Sequence, residues 1–294
     1  MDFINEDDIA KWVYKNNGVV HTRKISNINS IDFSQCLKNT LVCLTGYDNI
    51  IQSFFQNKIP LLNEPIILIT IETDGFTIPP SLLNHPLITH WFTWNKPFDH
   101  PKFTCIPEGL NYDRQQVILS RYLNKYGIQN TQTRKLLCFN SSNTTHSIRN
   151  FLYNKAQNEW KDFCDILENI PFLQEYIQPS YTDGQIKISV THPKCYSQLS
   201  SYKFILSPQG AGLDCHRTWE ALYLNIIPIV LSSSIDELYE DLPVVIVNDW
   251  NKISEAFLFK KFLEINTKKE NNEYNMNKLS LTYWINKIEN LRHS

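Results

Sequence analysis

The chain has 294 residues, 42% of them hydrophobic and 20% charged, enough apolar material for two cores of ordinary domain size. A formal net charge of −2 leaves no electrostatic footprint for nucleic acid or an anionic membrane. No stretch of about 18 consecutive apolar residues occurs, so the sequence offers no transmembrane helix.

Seven cysteines, odd in number and scattered without a C-x-x-C pair, fit reduced thiols better than a disulfide framework or a zinc site. Residues 1–8 are acidic and lack the apolar segment of a signal peptide, and the expectation is a cytoplasmic protein.

In chain order, residues 4–14 open with a short helical pattern and Val19–His21 reads as an edge strand. Residues 41–44 form an apolar run ending at Thr45-Gly46-Tyr47-Asp48, followed by helical spacing through Ile50, Ile51, Phe54 and Phe55. Residues 65–71 are the clearest buried strand of the first half, ending in a loop with Glu72 and Asp74. Residues 88–92 and 103–106 are two further short strands, and 113–126 a helix. The polar stretch 127–133 reads as a linker between a first domain at 1–130 and a second at 134–277.

The second domain starts with the strand Lys135–Phe139, a polar loop from Asn140 to Thr145, and a helix over 147–160. Residues 160–177 read as helical, 187–190, 226–231 and 244–247 as strands, and 252–265 as an amphipathic helix. Residues 266–277 are polar and expected to be flexible, and 278–291 form a final helix. Strands alternating with helices predict an α/β fold with parallel, doubly wound sheets. Such sheets take ligands at the carboxyl ends of their strands.

The most informative stretch is 202–228. Phe204-Ile205-Leu206 reads as a buried strand that stops at Ser207-Pro208. Gly210 and Gly212 follow in a loop, Asp214 is placed to cap a helix over 217–224, and that helix carries Arg217 and Glu220. A strand, a glycine loop and a helix start together form a phosphate cradle, because backbone N–H groups and the positive helix end face the loop. Arg217 can fork onto phosphate oxygens. Glu220 lies about 5 Å further along the axis, an offset that suits ribose hydroxyls. A surface ion pair is the alternative for an isolated Arg-x-x-Glu. Arg149, early in the helix after the loop at 140–145, is a further phosphate candidate; a solvated helix arginine is its alternative.

The run S-P-x-G-x-G-x-D-x-x-R-x-W-E-A-L-x-x-x-x-I-P-I-V, from Ser207 to Val230, resembles the donor-binding signature of exostosin-type glycosyltransferases. Upstream, Thr45-Gly46-x-Asp48, His90-Trp-Phe-Thr-Trp-Asn95, His100-Pro-Lys102 and Ile106-Pro-x-Gly109-Leu110 resemble a family progression in the same order. The resemblance implies a GT-B architecture, two Rossmann-like domains facing a central cleft, with a last helix (278–294) that returns to the first domain. It also implies a nucleotide-sugar donor, most simply a uridine diphosphate sugar. Glu220 then holds the ribose and Arg217 the diphosphate, with Ser207, Gly210, Gly212 and Asp214 completing the site and Arg149 beside it. The implied acceptor is a glycan or a protein-linked hydroxyl.

An inverting transfer needs a base on the acceptor side of the donor. Asp48, at a strand-end turn, is the first candidate through its resemblance to the family turn; Glu72, Asp74 and Glu108 are rivals. No Asp-x-Asp motif occurs, and Arg217 at a helix terminus can carry the leaving charge, so neither a metal nor another cofactor is expected. Two other readings stay open. One is a nucleotide-sugar-binding module without a base. The other is a dinucleotide-dependent oxidoreductase, disfavoured because Cys215 replaces the third glycine of G-x-G-x-x-G and Ser232-Ser-Ser234 lacks the expected acid.

Overall fold

The computed structural model describes residues 2–5, 7–74, 78–111, 115–128, 134–142, 145–167, 178–182, 185–189 and 194–293. Helix α1 (Asp8–Lys15) leads into β1 (Val19–His21), β2 (Thr40–Thr45) and α2 (Asp48–Asn57). Strand β3 (Ile66–Ile71), the short α3 (Pro80–Leu83), β4 (Ile88–Thr93), β5 (Phe103–Cys105) and α4 (Gln115–Tyr126) complete the first half. Its five strands form one parallel sheet in the order β1-β2-β3-β4-β5.

All six residues of β3 are buried, as a central parallel strand covered on both faces requires. The alternation of the pleat divides them. Ile66 and Leu68 pack with Phe54 of α2 and Leu83 of α3, whereas Ile67, Ile69 and Ile71 pack toward α1 and α4.

The second half runs through β6 (Lys135–Phe139), α5 (Ser147–Gln157) and β7 (Cys164–Ile166). An antiparallel pair, β8 (Gln178–Thr182) and β9 (Gln185–Ser189), comes next, then α6 (Lys194–Leu199) and β10 (Tyr202–Leu206). Helix α7 (His216–Tyr223), β11 (Ile227–Leu231), β12 (Val245–Val247), α8 (Glu255–Glu270) and α9 (Leu281–Arg292) follow. The second parallel sheet has the order β12-β11-β10-β6-β7. Chain direction across the sheet therefore reverses between β6 and β10, whose ends pair at Phe139 and Leu206. Such a switch point opens a crevice at the carboxyl ends of the strands. The protein is thus an α/β molecule with two parallel five-stranded sheets.

One apolar cluster crosses between the halves, joining Trp94, Cys105 and Ile106 to Tyr196, Trp219 and Tyr239. Helix α9 contributes Trp284 and Ile288 to the same cluster, and at its start Thr282 N–H donates to the carboxylate of Asp2 at 2.9 Å.

Two expectations are corrected. Within 160–177, Cys164–Ile166 is a strand beside β6, and 168–177 lies outside the described residues. A three-residue strand is too short for its period to stand out from a helical pattern. In the polar stretch 266–277, α8 continues to Glu270 and a 3₁₀ turn spans Met276–Leu279. Long-range partners order that stretch, with Lys269 Nζ on Asn225 Oδ1 at 2.6 Å and Asn275 N–H on Asp241 O at 2.8 Å. Of the expected linker, residues 129–133 lie outside the described ones. Among the described residues, no helix is long and apolar enough to cross a membrane.

Candidate functional site

A cavity of about 320 Å³ opens at the switch point. Its wall takes Ser141, Thr145 and Arg149 from the segment after β6, and residues from Pro208 to Glu220 after β10. Asp74, beyond β3, and Glu108, beyond β5, reach it from the first half. Both sheets thus turn their carboxyl ends to one space.

The loop after β10 is held by side chains as well as by its own backbone, where Gly210 N–H donates to Gly212 O at 3.1 Å. Arg149 donates from Nε to Gln209 O at 3.0 Å, from Nη2 to Pro208 O at 3.3 Å and from Nη1 to Ser142 O at 3.3 Å. Its guanidinium therefore ties the two loops of the switch point together. Gly210 leaves room for it, since a Cβ there would lie 2.8 Å from Nη2.

Gly212 serves the junction between the halves. A Cβ on it would sit 2.5 Å from Asn95 Nδ2 and 2.6 Å from Asp74 Oδ1. Asn95 Oδ1 accepts the backbone N–H groups of Leu213 and Asp214 at 2.8 and 2.9 Å. The glycine therefore permits a close approach by the first half.

Asp214 differs from its expected part as a helix cap. Helix α7 begins at His216 with Cys215 as the N-cap residue. The buried Asp214 carboxylate accepts from Cys215 N, Trp219 Nε1, Tyr239 OH and, across the halves, Glu108 N. These four donors nearly exhaust its lone pairs. Burial nevertheless holds its pKa above the ordinary aspartate value.

Arg217 and Glu220 line the cavity one turn apart on α7. Glu220 is 0% exposed. Its Oε1 accepts from Tyr196 OH at 2.7 Å, while Oε2 has no hydrogen-bond partner and lies 3.7 Å from Arg217 Nε. Arg217 Nη1 donates to Asn140 Oδ1 at 2.8 Å, and its buried Nε makes no hydrogen bond. Glu220 Oε2 and Arg217 Nε thus face each other as an ion pair beside the cavity, each without a hydrogen bond. The neighbouring Cys215 thiol is pushed up to about 12 by burial, which keeps it protonated and a poor nucleophile.

Glu108 faces His216 across the junction, with Oε1 3.2 Å from Nε2. His216 Nδ1 lies 2.7 Å from Gly109 O. Gly109 adopts φ +70°, and the adjoining Leu110 N–H bonds Ile4 O at 2.8 Å.

The remaining sequence candidates lie elsewhere. Ser207 is buried behind the loop, its Oγ 2.9 Å from Thr218 Oγ1. Asp48 starts α2 and lines a separate cavity with Phe55 and Leu82. Glu72 pairs with Arg23 at 3.0 Å. Tyr196, Asn140 and Asn95 are contributors that local pattern does not single out as binding residues, because their partners lie 24, 77 and 118 or more residues away. Among the described residues, no three His, Cys, Asp or Glu side chains converge as metal ligands.

No protein-family model matches the chain. No curated protein matches it either. Among solved structures, a chain from one described as "Crystal structure of GtfA/B complex" is similar at 11% identity and a TM-score of 0.40. The alignment covers 88% of this chain and 59% of that one, so this chain spans about three-fifths of its length.

Proposed function

We propose that this protein transfers a sugar from a nucleotide diphosphate donor to an acceptor hydroxyl, in the cavity at the switch point. The observation that carries the reading is the buried Glu220 carboxylate, whose Oε2 has no hydrogen bond on the cavity floor. Its partner is the Arg217 guanidinium at 3.7 Å, beyond hydrogen-bond distance, so a ligand offering hydroxyl donors would add the hydrogen bond that this buried carboxylate oxygen lacks, worth about 1–3 kcal/mol. Ribose hydroxyls meet that need. The unsatisfied Arg217 Nε one turn closer to the loop suits the diphosphate, together with the N-terminus of α7.

The resemblance of residues 207–230 to the exostosin donor signature supports the same placement and favours a uridine diphosphate sugar. In this reading the acceptor oxygen bonds to the anomeric carbon with inversion. The bond to diphosphate breaks with its electron pair on the leaving group, and the hydroxyl proton passes to a carboxylate. Arg217 and the helix terminus balance the leaving charge without requiring a metal. The proton-accepting carboxylate is drawn from Glu108 and Asp74, which line this cavity, and not from Asp48, which lines another.

Titration with uridine diphosphate, followed by a screen of its sugars for transfer and hydrolysis, tests the proposal. Binding with neither reaction would mark a nucleotide-sugar-binding module; failure to bind any nucleotide would remove the reading.

A further inference from the structure

The contacts of His216 fix more about the site than its lining does. A carbonyl oxygen only accepts, so the 2.7 Å contact with Gly109 O places a proton on His216 Nδ1. In the neutral ring Nε2 would then be an acceptor, 3.2 Å from Glu108 Oε1, itself an acceptor when ionised. Two acceptors do not hold each other at that distance. One proton therefore lies between them, as an imidazolium with a carboxylate or as imidazole with a carboxylic acid.

From this geometry, and resting on the glycosyl-transfer reading above, we infer that Glu108 accepts the acceptor's hydroxyl proton and that His216 is the positioning residue that aims it.

Both imidazole nitrogens are engaged, so His216 has no site for a further proton once the shared one is counted. The Glu108 carboxylate lines the cavity and has about four lone-pair sites, one of which faces Nε2. During transfer the acceptor O–H bond breaks and its proton bonds to Glu108. The oxygen's electron pair forms the new bond to the anomeric carbon, and the diphosphate leaves with the electron pair of the bond it loses. No oxidant or reductant is needed.

Three contacts hold Glu108 in register. Its backbone N–H is on Asp214 Oδ2 at 2.9 Å, its carboxylate is on His216, and the next residue's carbonyl receives the same imidazole. The carboxylate thus comes from the first half, while the residue that aims it starts the helix bearing Arg217 and Glu220. Acceptor and donor sides are set by one junction. Asp74, the other carboxylate from the first half, packs against Gly212 instead.

The charged surroundings set the sign of the pH dependence. Glu108 and His216 share the cavity wall with the carboxylates of Asp74, Asp214 and Glu220, the guanidinium groups of Arg149 and Arg217, and the protonated Cys215 thiol. Against that fixed background, an imidazolium favours the ionised form of Glu108, and removing it raises the carboxylate's pKa.

Two measurements on the full chain test the inference. In ¹⁵N-histidine NMR, His216 should show a protonated Nδ1, and Glu108→Gln should lower the pH at which its ring gains the second proton. A bare Nδ1, or a titration indifferent to Glu108→Gln, overturns the pair whatever the donor is. In kinetics with UDP-glucose, UDP-galactose and UDP-N-acetylglucosamine, Glu108→Gln should lower kcat by about 10²–10⁴ while uridine diphosphate affinity and melting temperature hold. His216→Asn should move the acidic limb of the kcat profile to higher pH. Full turnover in Glu108→Gln, or an unmoved acidic limb in His216→Asn, overturns the assignment. Absence of nucleotide binding by the unaltered protein would strike the nucleotide-sugar reading instead, and the NMR result would still decide whether the pair exists.

Discussion

The carboxylate of Asp214 accepts the backbone N–H of Glu108 at 2.9 Å, joining two positions 106 residues apart in sequence. With Trp219, Tyr239 and Cys215 as its other donors, it anchors the apolar junction of the halves. Asp214→Leu leaves these donors without an acceptor and should cost about 3–5 kcal/mol. Denaturant unfolding of the variant checks this; an unfolding free energy within about 0.5 kcal/mol of the unaltered protein's, the size of a surface change, would show that the junction does not depend on Asp214.

Gly109→Ala should destabilise by about 1–3 kcal/mol, because φ +70° is strained for alanine and its Cβ would lie 2.5 Å from Ile4 O. Thermal unfolding reads the loss, and an unchanged melting temperature would contradict the backbone described here.

Much of this architecture is legible in the sequence, and the misreadings share a cause. Unbroken apolar runs such as Ile66–Ile71 announce buried parallel strands because pleat and burial act on neighbouring residues. The Arg217 and Glu220 spacing is legible for the same reason, since both sit on one helix. Asp214 looks like a cap because an aspartate before a helix usually is one. Nothing local reveals that Trp219, Tyr239 and Glu108 use its oxygens instead. Gly212 similarly reads as a phosphate-loop glycine, although Asn95 and Asp74 occupy the space a Cβ would need. Asp48 follows a strand as a base would, yet the loop carries it to another cavity.

Arg149 binds three backbone carbonyls around the loop, so Arg149→Met should lower stability by about 1–3 kcal/mol and weaken nucleotide binding with it. Melting without ligand separates this from a phosphate contact. Weaker binding at an unchanged melting temperature would return Arg149 to direct ligand contact.

His90 is held to a pKa of about 4, first by burial and then by the charge of Lys287, while its Nε2 lies 2.8 Å from Thr104 Oγ1. The unfolded chain takes up this proton near pH 6.5 and the folded one does not, so the stabilisation is complete above about 6.5 and is lost as pH falls towards 4. The loss should be on the order of 3 kcal/mol. Comparing the pH dependence of unfolding with that of His90→Gln isolates it; identical slopes from pH 7 to 4 would contradict the burial of this ring.

Glu220→Gln tests the nucleotide site at the carboxylate it is built on. The amide oxygen can still accept from Tyr196, so the fold is retained, while the second acceptor on the cavity floor is replaced by a donor. Calorimetric titration with uridine diphosphate should give one site in the unaltered protein and at least about tenfold weaker binding in Glu220→Gln, the loss of roughly one charge-assisted hydrogen bond. Melting temperatures without ligand should be similar. Equal affinity in the two proteins, or no binding by either, would contradict a nucleotide site built on Glu220.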